Sequence, residues 1–236
     1  FVKASGELKS KPTQHSVMKL REIGLSPDII FCRSEYPIAR SVREKIALFC
    51  NVHRDHVIEG RDVPSIYEVP LVMFEQNMVE LVNGRLKLNK SPNISHLQKF
   101  NERYKHPEYK VTIAMCGKYT ELIDAYKSVL EAFVHAGVEN NSRVDVRWVQ
   151  TEKIVDDISA AKTFKNVDGI LLLPGFGPRG GEGKIRSSKH AREKKIPFLG
   201  ICLGLQCAVI DFARYKCGLN GANSTEYNKK TEYPVI

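Results

Sequence analysis

A short segment with glycine at each end constrains the fold of this chain more than any other feature. Cys202 lies between Gly200 and Gly204 in the run Gly-Ile-Cys-Leu-Gly. The apolar residues 196–199 before it are typical of a buried strand, and residues 205–213 after it are typical of a helix. A turn this tight excludes a Cβ at either glycine. The segment therefore predicts an α/β fold with a nucleophile elbow, in which the cysteine side chain points out of the sheet.

The elbow predicts chemistry as well as a fold. A thiol above the N-terminus of a helix is favoured in its thiolate form, which is the reactive one. The alternative interpretation is a buried structural cysteine. A glycine-rich loop at residues 174–184 follows another predicted strand and favours the nucleophile, because its backbone N–H groups could stabilise an oxyanion. This loop is not a phosphate-binding P-loop, since Ile185 follows Lys184 where that motif requires Ser or Thr.

Short strands alternate with helices on both sides of a polar stretch that contains two prolines. We predict a first domain at 1–82, a linker at 83–109 with a short helix near 94–104, and a second domain at 110–236. Such alternation implies parallel sheets covered on both faces, with ligands at the carboxyl ends of the strands. The predicted strands are 27–32, 56–59, 111–116, 144–149, 168–173 and 196–201, and the predicted helices are 39–48 (with Val42, Ile46 and Phe49 on one face), 71–82 and 122–136.

Composition narrows the classes of function. The 236 residues carry a formal charge of +9, but the basic residues are spread along the chain without an aromatic and basic motif, which favours a nucleotide ligand over a nucleic acid. No apolar run approaches the ~20 residues that span a membrane. The six cysteines have no disulfide or metal-site spacing, so we expect reduced thiols, a cytoplasmic protein and no metal held by these side chains.

The elbow and the glycine-rich loop resemble the class I glutamine amidotransferase domain. Further segments resemble the CTP synthase family, and they occur in the order expected for that family along nearly the whole chain. These segments are residues 6–17, 49–52, 62–67, 117–119, 124–129 and 222–227. The resemblance implies the end of a P-loop-type synthetase domain followed by a class I glutamine amidotransferase domain that is incomplete at its C-terminus.

The resemblance also implies a reaction and the roles of the residues in it. In this family ATP phosphorylates O4 of UTP, and ammonia from glutamine displaces the phosphate to give CTP. Cys202 then corresponds to the residue that forms the glutamyl thioester. Gly175 and Leu203 correspond to the oxyanion-stabilising positions, and Gln206 and Glu226 to positions that contact glutamine.

Other residues match nucleotide-binding positions of the family. Lys9, Lys11, Gln14 and Lys45 match the positions that hold UTP or CTP, and lysines suit phosphate groups as mobile charges. Phe176 matches a position that contacts the activator GTP. The family further implies Mg²⁺ and ATP for the complete enzyme and assembly into a homotetramer.

The chain also departs from the family pattern. The P-loop and the acidic metal ligands are not matched, and the His and Glu of the catalytic triad would follow Ile236, so we expect this chain alone to be inactive. The family reads Pro-Gly-Gly-Phe-Gly where this chain reads Pro174-Gly175-Phe176-Gly177. Two alternatives therefore stay open: a glutaminase subunit of another synthetase, and a chain that binds nucleotide or co-assembles without catalysis.

Overall fold

The structure is a computed structural model that describes residues 8–118 and 123–236. Residues 6, 7 and 119 of the family-like segments, and the start of the helix predicted at 122–136, lie outside this range. The chain forms two compact units, Phe1–Glu102 and Arg103–Ile236. The division falls inside the stretch that we predict as a linker, and the predicted domain limits themselves stay a prediction.

The first unit packs helices around a pair of parallel strands. Ile30 of the first strand lies opposite Val57 of the second. Apolar side chains from both strands and from the first two helices, including Val17 and Ile46, form its core. The elements are α1 Lys11–Glu22, β1 Ile30–Ser34, α2 Arg40–Cys50, β2 Val57–Arg61, α3 Val69–Glu75, α4 Met78–Leu86 and α5 Ser95–Lys105, the last of which crosses the boundary between the units.

The second unit is built on a four-stranded parallel sheet in the order β4-β3-β5-β6. Its elements are β3 Tyr109–Gly117, α6 Lys127–Glu139, β4 Ser142–Gln150, α7 Asp157–Thr163, β5 Gly169–Leu172, α8 Gly181–Lys194, β6 Phe198–Gly200 and α9 Leu203–Tyr215. One face of the sheet packs against α6 through side chains such as Phe133. The other face packs against α7, α8 and α9 through Ala160, Ile185 and Ile210.

The predicted α/β class with parallel sheets is confirmed, because every strand pair in the described residues is parallel. The short helix predicted near 94–104 is also confirmed, as α5. The prediction of a single helix at 71–82 is wrong. It is two helices, α3 and α4, with Asn77 between them in the left-handed region at φ +57°. Gln76 ends α3, since its side chain hydrogen-bonds both the N–H and the carbonyl of Glu59 on β2 at 2.8 Å.

Two further helix predictions need correction. Phe49 is 56% exposed, because the buried face of α2 consists of Ile46, Ala47 and Cys50. The helix predicted to end before Gly137 continues to Glu139. A Cβ at Gly137 would lie 2.5 Å from the carbonyl oxygen of Ser142, so the glycine lets α6 approach the start of β4.

No helix at 8–118 or 123–236 is long and apolar enough to cross a bilayer. In the same part of the chain, no group of three or more His, Cys, Asp or Glu side chains is placed to hold a metal ion.

Candidate active site

Cys202 occupies a strained corner between β6 and α9. Its backbone lies at φ +54° and ψ −111°, and it is the residue that precedes the first turn of α9. A positive φ is uncommon outside glycine and costs conformational energy, which is typical of a functional site. The thiol is exposed at the carboxyl end of the sheet. This arrangement is the elbow that the sequence predicts.

The two glycines of the elbow allow its backbone segments to approach closely. A Cβ at Gly200 would lie 2.5 Å from the carbonyl carbon of Gly204. A Cβ at Gly204 would lie 2.4 Å from the carbonyl oxygen of Leu172 on β5. Both atoms belong to the backbone and cannot move aside as a flexible side chain would. Steric exclusion at the two glycines is therefore the physical reason for this sequence pattern.

The glycine-rich loop after β5 lies beside the elbow. A Cβ at Gly175 would be 3.7 Å from Cδ2 of Leu203, the first residue of α9. The N–H groups in the first turn of a helix have no intrahelical acceptor. The loop around Gly175 and the first residue of α9 are therefore neighbours beside the nucleophile, and an oxyanion hole would need donors in this region.

Distant parts of the second unit hold this loop in place. The ammonium of Lys118, just after β3, donates to the carbonyl oxygen of Phe176 at 2.5 Å. The N–H of Gly177 donates to Oε1 of Glu226 at 2.5 Å. Ser224 in turn accepts a hydrogen bond from the N–H of Glu226 at 3.0 Å. The C-terminal segment thus brings the Glu226 carboxylate to the rim of the loop.

The remaining residues predicted for this site lie around the same rim. Gln206 is half-buried one turn after the cysteine on α9, and its N–H donates to the carbonyl of Cys202 at 3.2 Å. The ring of Phe176 is 83% exposed. The structure therefore groups the six residues that we predict for glutamine chemistry and GTP contact: Gly175, Phe176, Cys202, Leu203, Gln206 and Glu226.

Burial separates Cys202 from the other thiols of its unit. Burial raises the pKa of Cys116 on β3 and that of Cys207 on α9. Cys217 is exposed, as is Cys202, but it lies beyond the end of α9. Cys202 is therefore the cysteine of this unit that combines exposure with a helix N-terminus and a neighbouring loop of backbone amides.

His190 has a structural setting. Its ring lies against Phe164 with ring centroids 5.5 Å apart, and burial lowers its pKa. It is on α8, nine residues after the start of that helix. The aromatic contact and the burial explain this histidine as part of the packing between α7 and α8.

The residues predicted to bind UTP or CTP lie in the first unit. Lys9 lines a cavity of about 450 Å³ together with Arg33 and Asp62, whose Nε and Oδ1 atoms are 3.3 Å apart. Lys11 on α1 and Lys45 on α2 are exposed. Gln14 is half-buried and donates to Oγ of Ser10 at 3.0 Å. The structure thus places Lys9 in a concave site and the other three residues on the helices beside it.

Sequence reasoning missed Lys184, the fourth residue of α8. Its side chain is fully buried, and its ammonium donates to the carbonyl of Leu173 at 2.8 Å. The helix dipole disfavours a cation in the first turn of a helix. A lysine at this position, directly after a glycine-rich loop, is therefore the signal that could have identified Lys184.

Two family models match the chain. The first, described as CTP synthase N-terminus, matches residues 1–88, and the second, glutamine amidotransferase class-I, matches residues 121–234. A solved structure, the Trypanosoma brucei CTPS glutaminase domain with bound acivicin, is 38% identical. It covers 53% of this chain and 48% of that one, with a TM-score of 0.50. The second unit is therefore similar in sequence and in fold to class I glutamine amidotransferases.

Curated proteins that are similar along the whole chain point to one type of enzyme. A CTP synthase of Methanocaldococcus jannaschii is 49% identical over 100% of this chain and 45% of its own length. A CTP synthase of Caldanaerobacter subterraneus is 54% identical over 98% of this chain and 43% of its own length. The chain is therefore similar to CTP synthases from end to end. It spans less than half the length of these curated relatives.

Proposed function

We propose that this chain is part of a CTP synthase, an ATP-dependent ligase that converts UTP to CTP with ammonia from glutamine. The observation that carries this proposal is the strained elbow at Cys202, with the loop around Gly175 beside Leu203. The similarity to CTP synthases along the whole chain supports the synthetase half of the proposal. A free-standing glutaminase would have no reason to carry the residues matched by the CTP synthase N-terminus model.

The chemistry assigned to the second unit begins with the thiolate of Cys202. Its sulfur attacks the carboxamide carbon of glutamine, and the carbonyl oxygen becomes an oxyanion. The N–H groups of Gly175 and Leu203 are the donors that we assign to this oxyanion. Collapse of the intermediate expels the amide nitrogen, which takes up the proton that the thiol released and leaves as ammonia. Water then cleaves the glutamyl thioester to glutamate and frees the thiol.

Glu226 and Gln206 are assigned to substrate binding. The Glu226 carboxylate, which now accepts from Gly177, would exchange this partner for the α-ammonium group of glutamine. An ammonium–carboxylate hydrogen bond is stronger than one from a neutral amide, so the exchange is favourable. Gln206 lies one helical turn from the nucleophile and would bind the remaining polar atoms of the substrate.

The nucleotide half of the reaction is assigned to the first unit. Lys9, Lys11, Gln14 and Lys45 would bind the triphosphate of UTP or of the product CTP, and Phe176 on the other unit would contact GTP as activator. ATP would phosphorylate the uracil O4, and the homotetrameric enzyme would act in the cytoplasm. Mg²⁺ would accompany ATP, but no group of three or more metal-ligating side chains occurs at 8–118 or 123–236, so no step is assigned to the metal.

A chimeric enzyme tests this proposal. The chain replaces the 49% identical stretch of the M. jannaschii CTP synthase, and CTP formation from UTP and ATP is measured with glutamine and with ammonia. We expect CTP from both nitrogen sources. A folded chimera that assembles as the parent enzyme does and forms CTP from neither source would contradict the proposal and favour a chain that binds nucleotide without catalysis.

A further inference from the structure

Lys184 is a buried cation beneath the loop that borders the elbow. None of its side chain is exposed, and Nζ donates to the carbonyl oxygen of Leu173 at 2.8 Å. The same Nζ atom lies 3.7 Å from the position of a Cβ on Gly175. The ammonium therefore contacts the loop segment whose amide we assign to the oxyanion.

A positive charge on Lys184 does not stabilise the fold of the free protein. Burial lowers the pKa of Lys184. The titratable groups that act on it are Cys116 from β3, Lys118 after β3, Cys202 at the elbow and Cys207 from α9, which are thiols and a second cation rather than carboxylates. The residue also sits in the first turn of α8, where the helix dipole disfavours a cation. A buried charge without a carboxylate partner destabilises a fold.

Such a cost is understandable if negative charge appears nearby during the reaction. We propose that Lys184 is a positioning residue for the oxyanion: its ammonium fixes the Leu173 carbonyl, so that the Gly175 amide faces the reacting carbonyl, and its charge stabilises the negative charge that forms there. This inference rests on the proposed glutaminase function. Lys184 acts by holding the loop in position and does not contact the substrate.

Lys184→Met tests the role, because methionine has a similar length but carries no charge and no donor. The chimera with the M. jannaschii enzyme is treated with a chloroketone analogue of glutamine and, separately, with iodoacetamide. In the first reaction the sulfur adds to a ketone, whose oxygen becomes negative before chloride leaves. In the second the sulfur displaces iodide directly and forms no oxyanion. The two rates at Cys202 therefore separate oxyanion stabilisation from access to the thiol.

We expect Lys184→Met to slow the chloroketone reaction at Cys202 by about tenfold or more. The effect should stay smaller than the rate loss of roughly 10²–10³ that follows removal of an oxyanion donor itself. The iodoacetamide rate and the far-ultraviolet circular dichroism should stay unchanged, and the melting temperature should be equal or higher. Lys189→Met is the matched control on the same helix, because its ammonium pairs with Asp157 at 2.5 Å and lies over Tyr215. This control should leave the ratio of the two rates unchanged.

The outcomes distinguish this inference from the function on which it rests. A ratio of rates that Lys184→Met leaves unchanged, or a lower melting temperature with both rates reduced together, would overturn the positioning role and indicate a packing role. If Lys184→Met does not fold, the same ratio is measured on Lys184→Gln. Failure of the chloroketone to label Cys202 in the chimera without a substitution would instead overturn the proposed glutaminase.

Discussion

Replacing Cys202 by alanine should lower glutamine-dependent CTP formation by the chimera at least about 10³-fold and leave ammonia-dependent formation nearly unchanged. The substitution removes the sulfur that forms the thioester. It leaves the backbone of the elbow and the whole first unit in place. Free ammonia does not need the glutaminase step, so the amination of UTP should continue. Initial rates with each nitrogen source, measured on the same preparation, give both values.

Cys217→Ala is the control for this experiment, because Cys217 is the other exposed cysteine of the unit. It should leave both activities at their original levels. Equal loss of the two activities in Cys202→Ala would contradict the assignment of nitrogen supply and amination to separate units. Retained glutamine-dependent activity would show that another residue is the nucleophile.

Lys9→Ala should weaken the apparent affinity of the chimera for UTP by about 10- to 100-fold, since a charge-assisted contact to a phosphate contributes roughly 1.5–3 kcal/mol. Lys9 lines the cavity of the first unit together with Arg33, so two basic side chains border the site that we assign to an anionic ligand. The measurements are UTP titrations by initial rate and inhibition by CTP. Hydrolysis of glutamine should change only through coupling between the units.

Lys19→Ala is the matched control, because Lys19 lies on α1, is 77% exposed at its side chain and pairs with Glu22. It should alter neither titration. Unchanged affinities for both nucleotides in Lys9→Ala would mean that these lysines form a solvated basic surface rather than a nucleotide site.

The elbow could be predicted from the sequence because local sterics determine it. A Cβ at Gly200 or at Gly204 would collide with backbone atoms, so the turn requires both glycines and the sequence shows them. The parallel sheets were predictable for a similar reason: short apolar runs alternate with helical patterns, and only a few topologies accommodate that order.

The parts that could not be predicted depend on contacts between distant residues. The break between α3 and α4 follows from the hydrogen bonds that the Gln76 side chain makes to the backbone of Glu59 on β2. The local sequence pattern across 71–82 is helical throughout and does not reveal this break. Glu226 reaches Gly177 across 49 residues of sequence. The burial of Lys184 depends on the packing of α8 beneath the loop, which no periodicity of charged residues reveals.

Site mapping by mass spectrometry tests the central claim most directly. The chimera is treated with the chloroketone analogue of glutamine at limiting concentration and digested, and the adduct is assigned among the six cysteines that this chain contributes. We predict that the adduct forms on Cys202, that free glutamine protects this residue, and that the exposed Cys217 reacts slowly and without protection. An adduct mainly on Cys116, Cys207 or Cys217, or labelling of Cys202 that glutamine does not slow, would contradict a glutaminase site at this elbow.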